Sequence, residues 1–170
     1  MRVYVPLTFP ALRDAHRAGE LAPERGGTVA YAVTPGLREW YLSDDSEELE
    51  YAALNRAAQA SLRMLAGKPE VPRRRVVVAL DIADGAVSFD PDHGLDRESL
   101  GEVRIGGSVP LSKAAAVHVD SDEAEADVTA AADALGAADM GDDDARFTVD
   151  GAEDHELLWY ATQEIPHLVD

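Results

Sequence analysis

Val76-Val77-Val78-Ala79-Leu80 is apolar at every position and β-branched at its first three. With no polar alternation, such a run suits a strand covered on both faces, which makes it a central strand. Val71-Pro72 and the basic Arg73-Arg74-Arg75 lead into it, and Asp84-Gly85 follows as a hairpin signal that would join it to Val87-Ser88-Phe89. Upstream, Asp44 and Glu47 stand at capping-box spacing ahead of Tyr51, Leu54, Ala58, Leu62 and Leu65. These recur every three or four residues as far as Gly67, so a long amphipathic helix precedes the strand.

The pattern extends in both directions. Val3 and Val5 alternate with Arg2 and Tyr4 in a first strand that Pro6 is expected to stop. Thr8 then caps a helix with Pro10 in its first turn and Leu12, Ala15 and His16 on one face, ending near Gly19. After Gly26-Gly27, the segment Thr28-Val29-Ala30-Tyr31-Ala32-Val33 reads as a second doubly buried strand, and Thr34-Pro35 opens a short helix to about Leu42. Beyond the central run, Asp90 to Glu98 reads as an exposed loop and Val103 to Ile105 as a short strand. Lys113 to Val119 is another strand. Asp120 with Glu123 repeats the capping box before Ala124, Val128, Ala131 and Leu135, with Gly136 as the stop. Met140 to Glu156 is acidic and weakly patterned around Phe147 and Val149, and Leu157-Leu158-Trp159-Tyr160 is expected to dock the tail. The expected fold is α+β, a single-layer mixed sheet of about four to six strands with about four helices, with ferredoxin-like as the nearest named architecture. With no repeat and no low-complexity linker, residues 1–170 read as one domain.

A chain of 170 residues that is 46% hydrophobic buries a core without help from metals or cross-links. It has no Cys, which excludes disulfides, thiolate nucleophiles and thiolate zinc sites. The opening residues lack the apolar stretch of a secretory signal, so the cytoplasm is the expected location. No apolar run reaches the roughly 20 residues needed to cross a bilayer, so no membrane contact is expected. The net charge of −18 is regional: Ala114 to Asp170 holds 16 acidic residues and one basic residue, Arg146, whereas residues 1–113 hold 17 and 14. Such a field repels phosphate backbones and anionic lipid, which argues against direct nucleic-acid binding and permits a protein partner with a basic face; solubility alone is the simpler use of the charge. Only 2 of the 15 basic residues are Lys, as suits a GC-rich genome.

The opening Met1-Arg2-Val3-Tyr4-Val5-Pro6-Leu7-Thr8, the blocks Ala32-Val33-Thr34-Pro35, Leu37-Arg38-Glu39, Glu47-Glu48-Leu49-Glu50 and Arg74-Arg75-Val76-Val77-Val78-Ala79, and the ending Asp154 to Ile165 resemble an actinobacterial family of uncharacterised proteins. The resemblance spans nearly the whole chain. It implies an actinobacterial source and brings no activity, cofactor or catalytic residue.

Candidate site residues fall in two stretches. Arg38, in a helix capped by Thr34, stands where backbone N–H groups and a guanidinium could hold an anion, although pairing with a nearby Glu is simpler. Trp40 and Tyr41 beside it, and Trp159 and Tyr160 beside Gln163 and Glu164, offer aromatic area with polar tips, as a binding surface or as anchors to the core. His155, Glu156, Glu164 and His167 invite a metal reading, but the two His stand twelve apart with Pro166 between, so no metal and no cofactor is assigned. Arg73-Arg74-Arg75 is expected to pair internally with the acidic C-terminal third. His118 could act as a base if its strand faces a cleft. No nucleophile elbow, P-loop or dinucleotide fingerprint appears, so catalytic residues stay unassigned. The leading expectation is a non-catalytic protein-binding or regulatory module that acts through the acidic C-terminal region. The alternatives are an enzyme or ligand-binding protein whose pocket gathers Arg38, Tyr41, His155, Tyr160 and Glu164, because first and last strands often neighbour, and an acidic nucleic-acid mimic.

Overall fold

The structure, a computed structural model, describes residues 1–89 and 99–169. Its elements run β1 (Arg2–Leu7), α1 (Phe9–Ala18), β2 (Glu20–Leu21), β3 (Thr28–Tyr31), α2 (Pro35–Tyr41), α3 (Ser46–Ala66), β4 (Val76–Asp81), β5 (Val87–Ser88), β6 (Glu102–Ile105), β7 (Val109–Pro110), β8 (Ala114–Val119), α4 (Glu125–Asp139), α5 (Asp143–Glu153), β9 (Leu158–Tyr160) and α6 (Ile165–Val169). Seven strands form one sheet in the order β5-β6-β3-β1-β4-β8-β9, and β2 pairs with β7. Every pairing among the described residues is antiparallel, so the described sheet is not mixed.

The α+β class holds, with more strands and helices than the sequence pattern resolves. The short elements escape that pattern: β2, β7 and β9 have two or three residues and α6 has five, too few to establish a period. A ferredoxin-like β-α-β-β-α-β unit has four strands and two helices; here helices cover both faces of a wider sheet.

Alternation sorts the strands onto the two faces. Val3 and Val5 of β1, Val76, Val78 and Leu80 of β4, and Val117 and Val119 of β8 meet Phe9, Leu12 and Ala15 of α1 and Ile165 and Val169 of α6. On the other face Tyr4, Tyr31, Val77, Ala79 and Ala116 pack on α3, which presents Ala52, Ala53, Ala57 and Ala58, small side chains that let the helix lie close. A third layer forms where Leu62 and Leu65 of α3 pack on Val128, Ala131 and Leu135 of α4 and Ala152 of α5. The acidic helical hairpin α4–α5 therefore rides on α3 and is the outermost layer on that side.

The central reading of Val76–Leu80 is correct, since β4 is buried through Leu80 between β1 and β8. That placement overturns the expected hairpin at Asp84-Gly85: both sides of β4 are taken, and β5 instead pairs with β6 at the far edge. Pro6 does not stop β1. The Met1 carbonyl accepts from Ile82, so alternate residues Val3, Val5 and Leu7 point their amides at β4, and Pro6 turns its missing N–H toward β3, which pairs with β1 only at Tyr4↔Tyr31. Asp45, not Asp44, caps α3, its carboxylate accepting from the Glu47 and Glu48 amides. Tyr51 lies off the buried face of α3, half exposed. α4 runs through Gly136 to Asp139, and the chain turns at Gly141, whose φ of 92° suits glycine. The acidic Met140–Glu156 stretch, unassigned from sequence, forms α5, capped by Asp142 accepting from the Ala145 amide. The loop expected at Asp90–Glu98 lies outside the described residues.

Asp120 does not cap a helix because it is spent elsewhere. With its side chain 0% exposed, it accepts from Arg75 Nε at 2.9 Å, Arg75 NH2 at 2.8 Å and the Arg75 amide at 2.8 Å. The internal role expected of the arginine cluster is thus visible in Arg75, and Arg74 donates to the Asp120 carbonyl. Arg73 instead closes the end of α3 through the carbonyls of Leu65 and Lys68. Ser61 is a second buried tie, donating to the Leu7 carbonyl at 2.7 Å and accepting from the Val76 amide at 3.0 Å.

Two stability outcomes follow. Asp120→Asn strands the Arg75 charge inside the protein and is expected to cost about 3–5 kcal/mol in urea unfolding. Ser61→Ala leaves a buried carbonyl and amide unpaired and is expected to cost about 1–3 kcal/mol, with the urea dependence otherwise unchanged. A loss below about 1 kcal/mol for Asp120→Asn would remove the pair from its central place.

Candidate functional site

The two stretches of candidate residues flank strands that are not neighbours in the sheet. β3, which leads into α2, is separated from β9 by β1, β4 and β8, four steps of about 4.8 Å or roughly 19 Å. The first and last strands are likewise not neighbours, since β4 and β8 lie between them. The strand order therefore does not supply the neighbouring first and last strands on which the expected pocket of Arg38, Tyr41, His155, Tyr160 and Glu164 rested.

At α2, Thr34 Oγ1 accepts from the Leu37 amide and Leu37 is fully buried, which fixes the helix on the sheet. The Arg38 side chain is exposed, with no hydrogen bond or ion pair among the described residues, while its amide donates to the Thr34 carbonyl. Trp40 is 53% exposed, Tyr41 43% and Leu42 91%. Leu42 ends α2 at φ 49°, the only non-glycine residue at positive φ among those described. A leucine held there costs on the order of 1 kcal/mol and gains no burial in return.

In the C-terminal stretch most candidates carry local structure. His155 Nε2 lies 2.6 Å from Asp127 Oδ2, and its carbonyl accepts from Arg75 NH2, so it ties the end of α5 to α4 and to the buried pair. Glu156 accepts from the Tyr51 hydroxyl at 3.2 Å. Glu164 accepts from the Ala161 amide at 2.8 Å and shapes the turn before α6. Tyr160 packs against the main core. Gln163 lines a shallow groove of about 320 Å³ with His16, Leu111, Ser112 and Ile165. The tail is docked by Ile165 and Val169, and by Arg13 donating to the Val169 carbonyl, rather than by Trp159, which is 61% exposed on the free edge strand.

His118 belongs to a cluster that joins sites far apart in sequence. In register it stands between Val77 and Trp159, so all three share the α3 face. On that face Tyr4 donates to Glu50 at 2.8 Å, and Arg2 grips Asp81 through Nε at 2.7 Å and NH2 at 3.2 Å. Burial, and then the nearby Arg2 charge, hold the His118 imidazole below its ordinary pKa. Burial and the Glu50 carboxylate push the Tyr4 phenol well above its usual range. The imidazole and the phenol are thereby held neutral at physiological pH.

The surfaces missed by sequence reasoning lie on the acidic hairpin and after α2. Met140 is 90% exposed and Phe147 81%. Their signal is legible in retrospect: once α5 is a helix, Phe147 has Asp143, Asp144 and Asp150 three or four residues away and faces outward with them. No described cluster of three or more His, Asp or Glu residues could hold a metal, and no described helix is long and apolar enough to cross a membrane.

A model of a family of unknown function matches residues 1–169. The chain belongs to that family, DUF6912. No curated protein and no solved structure matches it. For this DUF6912 chain the functional reading rests on its own surfaces.

The lowered pKa of His118 gives a pH dependence. Its folded pKa lies below the unfolded 6.5, so the unfolded chain takes up the proton first. Stability contributed by the neutral imidazole is complete above that value and is lost as pH falls below it. His118→Gln is therefore expected to flatten the fall in unfolding free energy between about pH 7 and 5 relative to the parent, measured in parallel urea titrations. Parallel curves for the two proteins would contradict the assignment.

Proposed function

We propose that this protein is a single-domain, non-catalytic binding module that acts in the cytoplasm by engaging another protein through its acidic C-terminal region. The observation that carries the reading is Phe147, 81% exposed on the outermost layer with Asp143, Asp144 and Asp150 one helical turn away. An aromatic side chain ringed by carboxylates gains nothing in the free domain. Against a partner it supplies a buried anchor with a charged rim. Met140 adds a flexible apolar contact at the turn between α4 and α5. The partner so implied carries an apolar socket edged by Lys or Arg. An actinobacterial source belongs to the same proposal, supported by the Lys-poor basic composition.

The test is capture from lysate on the tagged domain, at low and high salt, beside the Met140→Ala, Phe147→Ala double variant. A stoichiometric partner is expected at low salt. The double variant, folded by circular dichroism, is expected to retain about tenfold less of it. Added salt is expected to weaken capture, because exposed charges are screened within about 10 Å at 0.1 M. Equal retention by the folded variant, or no specific protein at either salt, would reject the reading.

A second reading, a small-molecule site on the α3 face of the sheet, draws on the half-buried His118 beside the exposed Trp159, with Arg2 near enough to lower the imidazole pKa. Trp159 emission that stays unchanged across a metabolite panel, in a Trp40→Phe background, would set it aside.

A further inference from the structure

We propose that Trp40, Tyr41 and Leu42 form a second docking knob, independent of the acidic C-terminal region, whose occupant is a basic amphipathic segment of another protein. These are three consecutive large apolar side chains, and all three are exposed. They sit on a fixed base rather than a loose loop, because Leu37 is fully buried under α2, Thr34 caps its start, and Asp45 caps the helix that follows. The knob ends on Leu42 at positive φ with 91% of its surface in water, an arrangement that the folding of the free domain does not reward. Tryptophan and tyrosine are the side chains that most often dominate a contact.

Charge decides the class of occupant. Glu39, Asp44, Asp45, Glu47 and Glu48 surround the knob in sequence, and Arg38 is the only cation between residues 26 and 55. Asp45 and Glu48 accept hydrogen bonds from local amides and from Ser43, which fixes their positions and leaves their charge in place. The field favours lysine and arginine on the occupant and disfavours anionic lipid. It also disfavours a second copy of this chain, since each carries −18. The α4–α5 hairpin packs on Leu62 and Leu65, at the opposite end of α3 from Leu49, about 20 Å away at 1.5 Å per residue. One surface can therefore fail without the other.

The chain contains only two tryptophans, Trp40 and Trp159, so a Trp159→Phe background makes Trp40 the sole reporter. The probes are a short synthetic peptide of lysine and leucine in amphipathic helical order, and a twin with every leucine replaced by serine. The lysine–leucine peptide is expected to shift Trp40 emission to the blue and to bind at least about tenfold more tightly than its twin. Leu42→Ala and Tyr41→Ala are each expected to remove most of that difference, and Met140→Ala with Phe147→Ala to leave it unchanged. Leu42→Asn, which suits the left-handed backbone, keeps the test open if Leu42→Ala loosens the helix end. Equal binding of the two peptides, or a difference that survives both knob variants, overturns the proposal. A concentration-dependent dimer in sedimentation that Leu42→Asn abolishes also overturns it, in favour of a second copy.

Discussion

The buried pair of Arg75 and Asp120 is the constraint on which the rest of the molecule hangs. Arg75 is the last residue before β4 and Asp120 the first after β8, so the pair clamps the two central strands at one end. The same guanidinium donates to the His155 carbonyl and so reaches the start of the last strand segment. A charge pair taken out of water is tolerated only when its hydrogen bonds are filled, and here backbone and side-chain donors fill both oxygens of Asp120. This geometry sets where α4 begins, where α5 must return and where β9 can join the sheet. The acidic hairpin is held in place by a carboxylate of its own region.

That constraint also explains what could and could not be read from the chain. The continuous apolar run at Val76–Leu80 and the alternation at Val3 and Val5 announce the central strands because burial on one or both faces leaves no other pattern. Thr8, Thr34 and Gly19 announce helix ends because caps are local. Asp120 misleads for the converse reason: a carboxylate ahead of a helix has the spacing of a cap whether it bonds to the helix or to an arginine forty-five residues away. The Asp84-Gly85 turn misleads likewise, since the occupancy of both sides of β4 is a fact of topology and not of local sequence. α5 was hidden by its charge. With one fully buried residue, Ala152, it owes its helix to packing on α4 rather than to its own apolar stripe.

The candidate site residues were legible as residue types and not as a place. Trp40, Tyr41 and Trp159 are exposed, as binding residues should be, whereas His155, Glu156, Glu164 and Tyr160 hold local structure. Nothing in a single sequence separates an aromatic anchor of a terminus from an aromatic contact for a partner; only the exposure of Trp159 beside the burial of Ile165 and Val169 does so. The same holds for Phe147, whose exposure follows from a helix that the pattern did not reveal.

The two apolar surfaces share a physical logic that bears on function. Water-exposed Phe147 and Leu42 each have carboxylates close by in sequence, and neither is buried in the free domain. Acidic neighbours keep such residues from associating indiscriminately, because apolar contact between like copies brings their charges together. Repulsion of that kind falls away only against a surface of opposite sign. A strongly acidic domain can therefore carry exposed anchors at no cost in solubility and reserve them for basic partners. Under the proposed reading, the net charge and the exposed apolar residues are two halves of one selectivity device, in which charge chooses the partner and the apolar anchor holds it.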